Sequence, residues 1–186
     1  MLKYALIIVA LCFGSQATFA QTVKATPENT IYLDLKEGRV VIQLRPDLAP
    51  KHVAQIKALT KKGFYDGIVF HRVISGFMAQ TGDPTGTGMG GSDLPNIPAE
   101  FNTTPFVRGV LGMARSQDPN SANSQFFICF GDAQFLNGKY TVFGQVISGM
   151  EFVDKIKKGE PAQNGTVKNP DKIFKMQLMS DVQNGQ

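Results

Sequence analysis

"IYLDLKEGRVVIQL", residues 31–44, decides the fold class of this 186-residue chain. Apolar side chains recur at Ile31, Leu33 and Leu35, and again at Val40, Ile42 and Leu44. A period of two puts each set on one face of an extended strand. Gly38 separates the runs and supplies a turn, so the stretch predicts an antiparallel hairpin with one buried face. Asp66-Gly67 marks another turn ahead of a strand over 68–74. "RGVLGMA" (108–114), "SQFFICF" (124–130) and "KYTVFGQVI" (139–147) predict further short strands, and "KIFKMQLMSDV" (172–182) alternates again at the end of the chain.

Two stretches have helical spacing instead. In "APKHVAQIKALTKKG" (49–63), Pro50 suits a first turn, Val53, Ile56 and Leu59 or Ala58 make an apolar stripe, and Gly63 sits where a C-terminal cap belongs. "SGMEFVDKIKKG" (148–159) carries Met150, Val153 and Ile156 or Lys157 at the same spacing and ends at Gly159. Two helices amid about eight short strands predict a closed or nearly closed antiparallel sheet, because closure removes exposed edges. Residues 82–98, rich in Gly and Pro, predict a long loop, and loops on a rigid scaffold carry function.

The first twenty residues stand apart. Lys3 is followed by the apolar run "ALIIVALCF" (5–13) and then by the small-residue stretch "GSQATFA" (14–20). That is the pattern of a secretory signal peptide, with cleavage after Ala20 favoured over Ala17. The run is too short to span a membrane, which takes about 20 residues. Cys12 is a poor lipid-anchor site because bulky Leu11 precedes it. The domain division is therefore a leader over 1–20 and one domain over 21–186. Losing the leader and its Lys3 leaves 18 basic against 15 acidic side chains, a net charge of +3, and Cys129 as the one cysteine. Within "SQFFICF" it reads as a small buried hydrophobe.

Composition and motifs exclude several function classes. Hydrophobic residues at 42% and charged residues at 18% describe a chain able to form a core. No basic run exceeds a pair, as at Lys61-Lys62, so the clustered footprint of nucleic-acid binding is missing. His52, His71 and Cys129 are far apart in sequence and have no zinc-site spacing. "GTGMGG" (86–91) matches G-x-G-x-x-G, yet Pro95 and Pro98 follow where a helix would have to begin. It reads as a flexible loop needing positive backbone angles. No G-x-S-x-G elbow is present for a hydrolase, and His71 reads as a structural histidine hydrogen-bonded at a strand end. What remains is "FHRVISGFMAQTGD" (70–83). Alternation there puts Phe70, Arg72 and Ile74 on one face and His71 and Val73 on the other. An arginine sharing a face with Phe and Ile hints at a lined cleft, and the residues alone carry the reading no further.

"FHRVISGFMAQTGDPTGTG" (70–88), "GVLGMAR" (109–115), "SQFFICF" (124–130) and "FLNGKYTVFGQV" (135–146), in this order, closely resemble the cyclophilins, a family of peptidyl-prolyl cis-trans isomerases. The likeness runs from about Asn29 to Val182, and with the leader the chain resembles the exported bacterial, periplasmic type. The resemblance implies a mainly β fold, a closed eight-stranded antiparallel β-barrel capped by two α-helices. It implies an enzyme that needs no metal or organic cofactor. Arg72 matches the catalytic arginine, and Gln80, Phe77 and Met78 match pocket residues, Gln80 as the holder of the Arg72 fork. Ala114, Arg115 and Ser116 match the segment whose backbone pairs with bound peptide. Gln125 and Phe127 match pocket positions, and Phe135, Leu136 and Tyr140 match the rim and floor. His71 matches a structural histidine.

Many relatives have Trp where Phe135 stands, His where Tyr140 stands, Asn where Arg115 stands and Pro where Ser75 stands. The family's Trp donates a hydrogen bond to cyclosporin, and Phe135 cannot, so weak binding of that drug is expected. The implied partners are unfolded or partly folded proline-containing polypeptides, met by a monomer that neither binds nucleic acid nor inserts stably into a membrane. The alternative is a binding module or chaperone for proline-containing segments, with incidental turnover.

Overall fold

The computed structural model describes residues 25–185. The expected leader and its expected cleavage site lie outside the described residues. Strands β1 (Thr30–Leu35) and β2 (Gly38–Leu44) form the predicted hairpin, with Ile31 opposite Ile42 and Leu33 opposite Val40. All six apolar side chains that set the pattern are buried. The remaining strands are β3 (Arg72–Ile74), β4 (Met78–Thr81), β5 (Val110–Met113), β6 (Phe126–Cys129), β7 (Val142–Ser148) and β8 (Lys175–Leu178). They build one antiparallel eight-stranded sheet in the order β3-β4-β6-β5-β7-β2-β1-β8.

The sheet curls toward a barrel, but full closure, expected from the resemblance, is not reached by a ladder. The end strands β3 and β8 have three and four residues and are not neighbours in the sheet. Single bridges span the gap instead, Val69 to Lys172 and Arg72 to Thr166. Phe70 N–H donating to Asp171 and Val73 N–H to Gly165 satisfy the edge backbone that would otherwise be open.

Helix α1 (Pro50–Lys61) buries the predicted stripe of Val53, Ile56 and Leu59. Its N-terminus has no local side-chain cap. Glu100, 49 residues on, takes that role by accepting from the Lys51 and His52 amides and from His52 Nδ1 at 2.6 Å. Burial pulls His52 below its ordinary pKa despite that carboxylate, which favours the neutral ring.

Helix α2 is shorter than its spacing predicts and covers only Met150–Val153. Beyond it the chain tightens into turns from Phe152 to Ile156. The Lys157 and Gly159 amides then bond Asp171 and Val73 rather than the preceding turn. The last stretch, read as one strand over 172–182, divides at Leu178. Ile31–Leu178 is the last pair of β1 with β8, so the backbone beyond it turns on itself as α3 (Met179–Gln183).

Two apolar clusters lie on the two faces of the sheet. The larger fills the curl and includes Ile31, Leu33, Ile42, Ile56, Phe70, Val73, Phe126 and Ile128. The smaller, outside it, holds Met78, Phe106, Val110, Phe127, Cys129, Ala133, Leu136 and Val142, with Phe77, Ala114 and Tyr140 packed on it. Strand β6 therefore has apolar neighbours on both faces, which is why "SQFFICF" is a continuous apolar run rather than an alternating one.

Candidate active site

The site is a cross-strand row on the outer face. A turn at Ser75–Phe77, with Gly76 at φ 73°, folds β3 back along β4 and sets Arg72 directly opposite Gln80. Gln80 is opposite Phe127 on β6, and Phe127 is opposite Gly112 on β5. Strand β4 was not distinguished from its surroundings by alternation. "MAQT" offers one large apolar residue, and its partners on both sides are other strands.

The Arg72 side chain is fixed at three of its five N–H groups. Nη1 donates to Gln80 Oε1 at 3.1 Å, Nε to the Asn164 carbonyl at 3.0 Å and Nη2 to Asn164 Oδ1 at 2.9 Å. Gln80 Nε2 in turn donates to Gln125 Oε1 at 2.9 Å, and Gln125 Nε2 donates to the Gly88 and Gly90 carbonyls. One relay thus runs from the arginine to the glycine loop. Partial burial lowers the Arg72 pKa, and Tyr140 works against that shift. An arginine so lowered stays charged at neutral pH. Among the described residues none of its bonds goes to a carboxylate, so no acidic partner there neutralises its charge.

Asn164 was missed by the sequence reading. It holds a left-handed conformation, φ 53°, just before Gly165, in an Asn-Gly turn that is its only sequence signal. Alternation over 68–74 also needs correction. The strand begins only at Arg72, so Phe70 packs in the barrel core with Val73, while Ile74 packs on the outer cluster with the cleft.

The cleft floor is aromatic. Phe127 stacks on Phe106 at 5.7 Å between centroids and meets Tyr140 edge-on at 6.0 Å. Gly112 makes this possible: a Cβ there would lie 2.3 Å from Phe127 Cζ and 2.6 Å from a Phe106 ring carbon. Phe106, Val110 and Val142 complete the floor and were not singled out by the sequence, because they look like ordinary strand and loop hydrophobes. Leu136 and Met78 belong to the same outer cluster as Phe127 and expose little surface. Phe77 and Phe135 form a tilted pair at 5.2 Å, with Phe135 61% exposed at the rim. Cys129 is buried as expected, and burial pushes its thiol up to about 12.

The segment after β5 forms the other wall. Ala114 N–H donates to the Gln125 carbonyl and Ser116 N–H to Ser121 Oγ, which leaves the Arg115 amide as this segment's open donor among the described residues. The Gly86–Gly91 loop has the expected positive angles at Gly86 and Gly88. It is ordered by Asp83, which accepts from Thr85 N–H and Oγ1 and from the Gly88 N–H. Burial alone would raise the Asp83 carboxyl; the bonds from Thr85, Gly90 and Gly88 outweigh that and hold it at about 2. His71 lies under Gly88, and among the described residues neither of its ring nitrogens has a hydrogen-bond partner. The bonded strand-end histidine expected from the sequence is instead a packed, neutral one. Burial lowers its pKa, and the Arg72 charge adds to that while Asp83 opposes it. No group of three or more His, Cys, Asp or Glu side chains converges on a metal-sized site among the described residues.

The comparisons agree on this geometry's family. The family model described as "Cyclophilin type peptidyl-prolyl cis-trans isomerase/CLD" matches residues 30–178. A Brucella suis protein named "Probable peptidyl-prolyl cis-trans isomerase" is 59% identical over 184 residues, covering 93% of this chain and 92% of that protein. The rat protein named "Peptidyl-prolyl cis-trans isomerase-like 3" is 44% identical over 133 residues, 69% of this chain and 81% of that one. A cyclophilin from Hirschia baltica superposes with a TM-score of 0.76 at 29% identity, covering 84% of this chain and 76% of that one. A Cryptosporidium parvum cyclophilin solved in the presence of the dipeptide Ala-Pro gives 0.73 at 29% identity, covering 80% and 98%. The family match over residues 30–178, the identity to the Brucella suis protein and the shared curled eight-stranded sheet together show that the chain belongs to the cyclophilin-type peptidyl-prolyl cis-trans isomerase family.

Proposed function

We propose that this isomerase acts on X-Pro bonds of unfolded or partly folded exported proteins, in the periplasm, after removal of its leader, and that Arg72 assists the twisting of the bond. Rotation about a peptide bond faces about 18–20 kcal/mol because the nitrogen lone pair is delocalised into the carbonyl. The uncatalysed X-Pro flip takes roughly tens to hundreds of seconds. Reaching about a thousand turnovers per second means a gain of about 10⁵, or roughly 7 kcal/mol off the barrier.

In the twisted transition state the nitrogen pyramidalises and its lone pair localises. A guanidinium N–H aimed at that nitrogen binds the twisted form better than the planar one, and only such differential binding raises the rate. One preorganised donor in a dry site contributes roughly 3–4 kcal/mol. The rest falls to the cleft: Phe77, Met78, Phe127 and Leu136 grip the proline ring and exclude water, and Gln125 with the Arg115 backbone holds the chain on one side while the other rotates. The single observation that carries this reading is the Arg72 fork, fixed by Gln80 and Asn164 with two N–H groups to spare. No cofactor enters the chemistry, and a monomer without nucleic-acid or membrane partners suffices for it.

A proline-binding chaperone is the second reading. Met89, 91% exposed on the glycine loop, and Phe135, exposed beside Phe77, favour it, because they offer an unfolded chain apolar contacts beyond the proline pocket. Refolding of an exported protein limited by proline isomerisation separates the two. Acceleration of its slow phase at catalytic concentrations supports the enzyme; acceleration only at stoichiometric amounts supports the chaperone. Export is checked by sequencing the N-terminus of the periplasmic chain. Gln21 is the expected first residue, and a retained Met1 would sink the localisation.

Cyclosporin is proposed to bind weakly because Phe135 has no donor. Phe135→Trp should tighten inhibition about tenfold, as one recovered hydrogen bond allows. Unchanged inhibition would remove that explanation.

A further inference from the structure

Of the five arginines in the chain, Arg39, Arg45 and Arg108 each pair with an aspartate, Asp34, Asp47 and Asp154. The two that pair with no acidic side chain among the described residues are Arg72, in the cleft, and Arg115, beside it. Arg115 is nevertheless held firmly. Its guanidinium carbon sits 4.5 Å from the Tyr140 ring centroid. Nε and Nη2 donate to the Lys139 carbonyl at 3.2 and 2.7 Å, and Nη1 donates to the carbonyls of Ser116 and Gln117 at 2.8 and 3.3 Å. Four of its five N–H groups are used, every one on a neutral carbonyl, so the side chain is fixed while its charge is left uncompensated.

The surface it borders is a groove of about 460 Å³ that runs from Gln80 and Gln125 past Ala114 and Ser116. Hydroxyls and amides of Ser92, Ser121, Asn96 and Asn123 line it, and Arg115 is its one charged lining residue. A peptide seated by Gln125 and the Arg115 amide has to place a neighbouring side chain here. An ammonium would meet a fixed like charge, and a carboxylate would meet its complement with one N–H still to give.

We propose that Arg115 is a specificity-determining residue that selects substrates carrying an acidic side chain close to the proline. The inference rests on the cleft being the isomerase site and names the class of chain that site prefers. The test is exchange NMR on a family of X-Pro peptides in which Glu or Lys is scanned over three positions on each side of the proline, against an all-neutral parent. For the wild-type protein, kcat/KM for Glu over Lys is expected to reach about fivefold at one or two adjacent positions, the size of a partly exposed ion pair, and to shrink at high salt. Arg115→Gln should bring the ratio to about one and Arg115→Glu should invert it, whatever either variant does to the absolute rate.

A ratio near one at every position in a wild-type protein that isomerises the neutral parent would overturn the proposal. So would a ratio that survives in Arg115→Gln. If even the neutral parent is not isomerised, the isomerase reading fails instead. The same titrations then report the Glu-to-Lys ratio of Kd, which decides the role of Arg115 independently.

Discussion

Arg72→Ala is expected to lower kcat/KM for an X-Pro peptide by about 10²–10³ while the protein stays folded, the loss seen when one preorganised donor is removed. The folded state tolerates the change because Arg72 is only partly buried and its partners, Gln80 and Asn164, stay within reach of solvent and of Gln125. Arg72→Lys should recover little. An ammonium keeps the charge but cannot donate to Gln80 and Asn164 as a planar fork while still facing the cleft. The effect belongs to kcat, since the bond to nitrogen strengthens only as the bond twists; KM should move by a few-fold at most. Steady-state isomerisation kinetics check this, with thermal unfolding as the control. Wild-type turnover in Arg72→Ala would remove the arginine from the mechanism.

Phe127→Ala should act differently, because Phe127 serves both fold and site. It is 5% exposed, stacks on Phe106 and closes on Gly112. Truncating a buried Phe costs about 3–5 kcal/mol through lost transfer energy and the cavity left behind. Denaturant unfolding should show the midpoint lowered by that loss divided by the slope, with the slope itself unchanged. The proline ring would also lose its floor, so the variant's folded fraction should show a raised KM, in contrast with Arg72→Ala. Phe127→Leu, which keeps most of the volume, should restore much of the stability and less of the binding, since it cannot stack on Phe106 or meet Tyr140 edge-on. A stable Phe127→Ala with unaltered KM would show that the outer aromatic cluster is not the proline pocket.

How much of this was legible in the sequence follows from which contacts are local. The first hairpin was fully readable, because Gly38 and strict alternation specify both turn and register within fourteen residues. The body of α1 was readable from its stripe, but its cap was not. Glu100 reaches the helix from 49 residues away, and nothing near Ala49 announces it. The ends of α2 and β8 failed for the same reason: spacing continues through Lys157 and through Val182, while hydrogen bonding to Asp171 and the end of β1 decides where each element stops.

The site divides likewise. Arg72 and Gln80 lie eight residues apart in one hairpin, so their pairing was inferable once a resemblance pointed to them. Asn164 holds the same guanidinium from 92 residues away and was invisible. Phe106 and Gly112 do structural work for Phe127 that only the folded chain reveals. Arg115 was visible as a departure from the family pattern. Its fixation on Tyr140 and three carbonyls, without a carboxylate, turns a bare charge into a placed one.

The central claim is that this cleft turns X-Pro bonds by rotation, with nothing made or broken. Exchange NMR of a short X-Pro peptide with the wild-type protein tests it most directly. The account predicts rapid exchange between cis and trans resonances, a chemically intact peptide, and protein shifts centred on Phe127, Gln125 and Ala114 that persist in Arg72→Ala while the exchange collapses. Saturable shifts in the wild type with no acceleration of exchange would contradict it and leave a proline-recognition module in place of the enzyme.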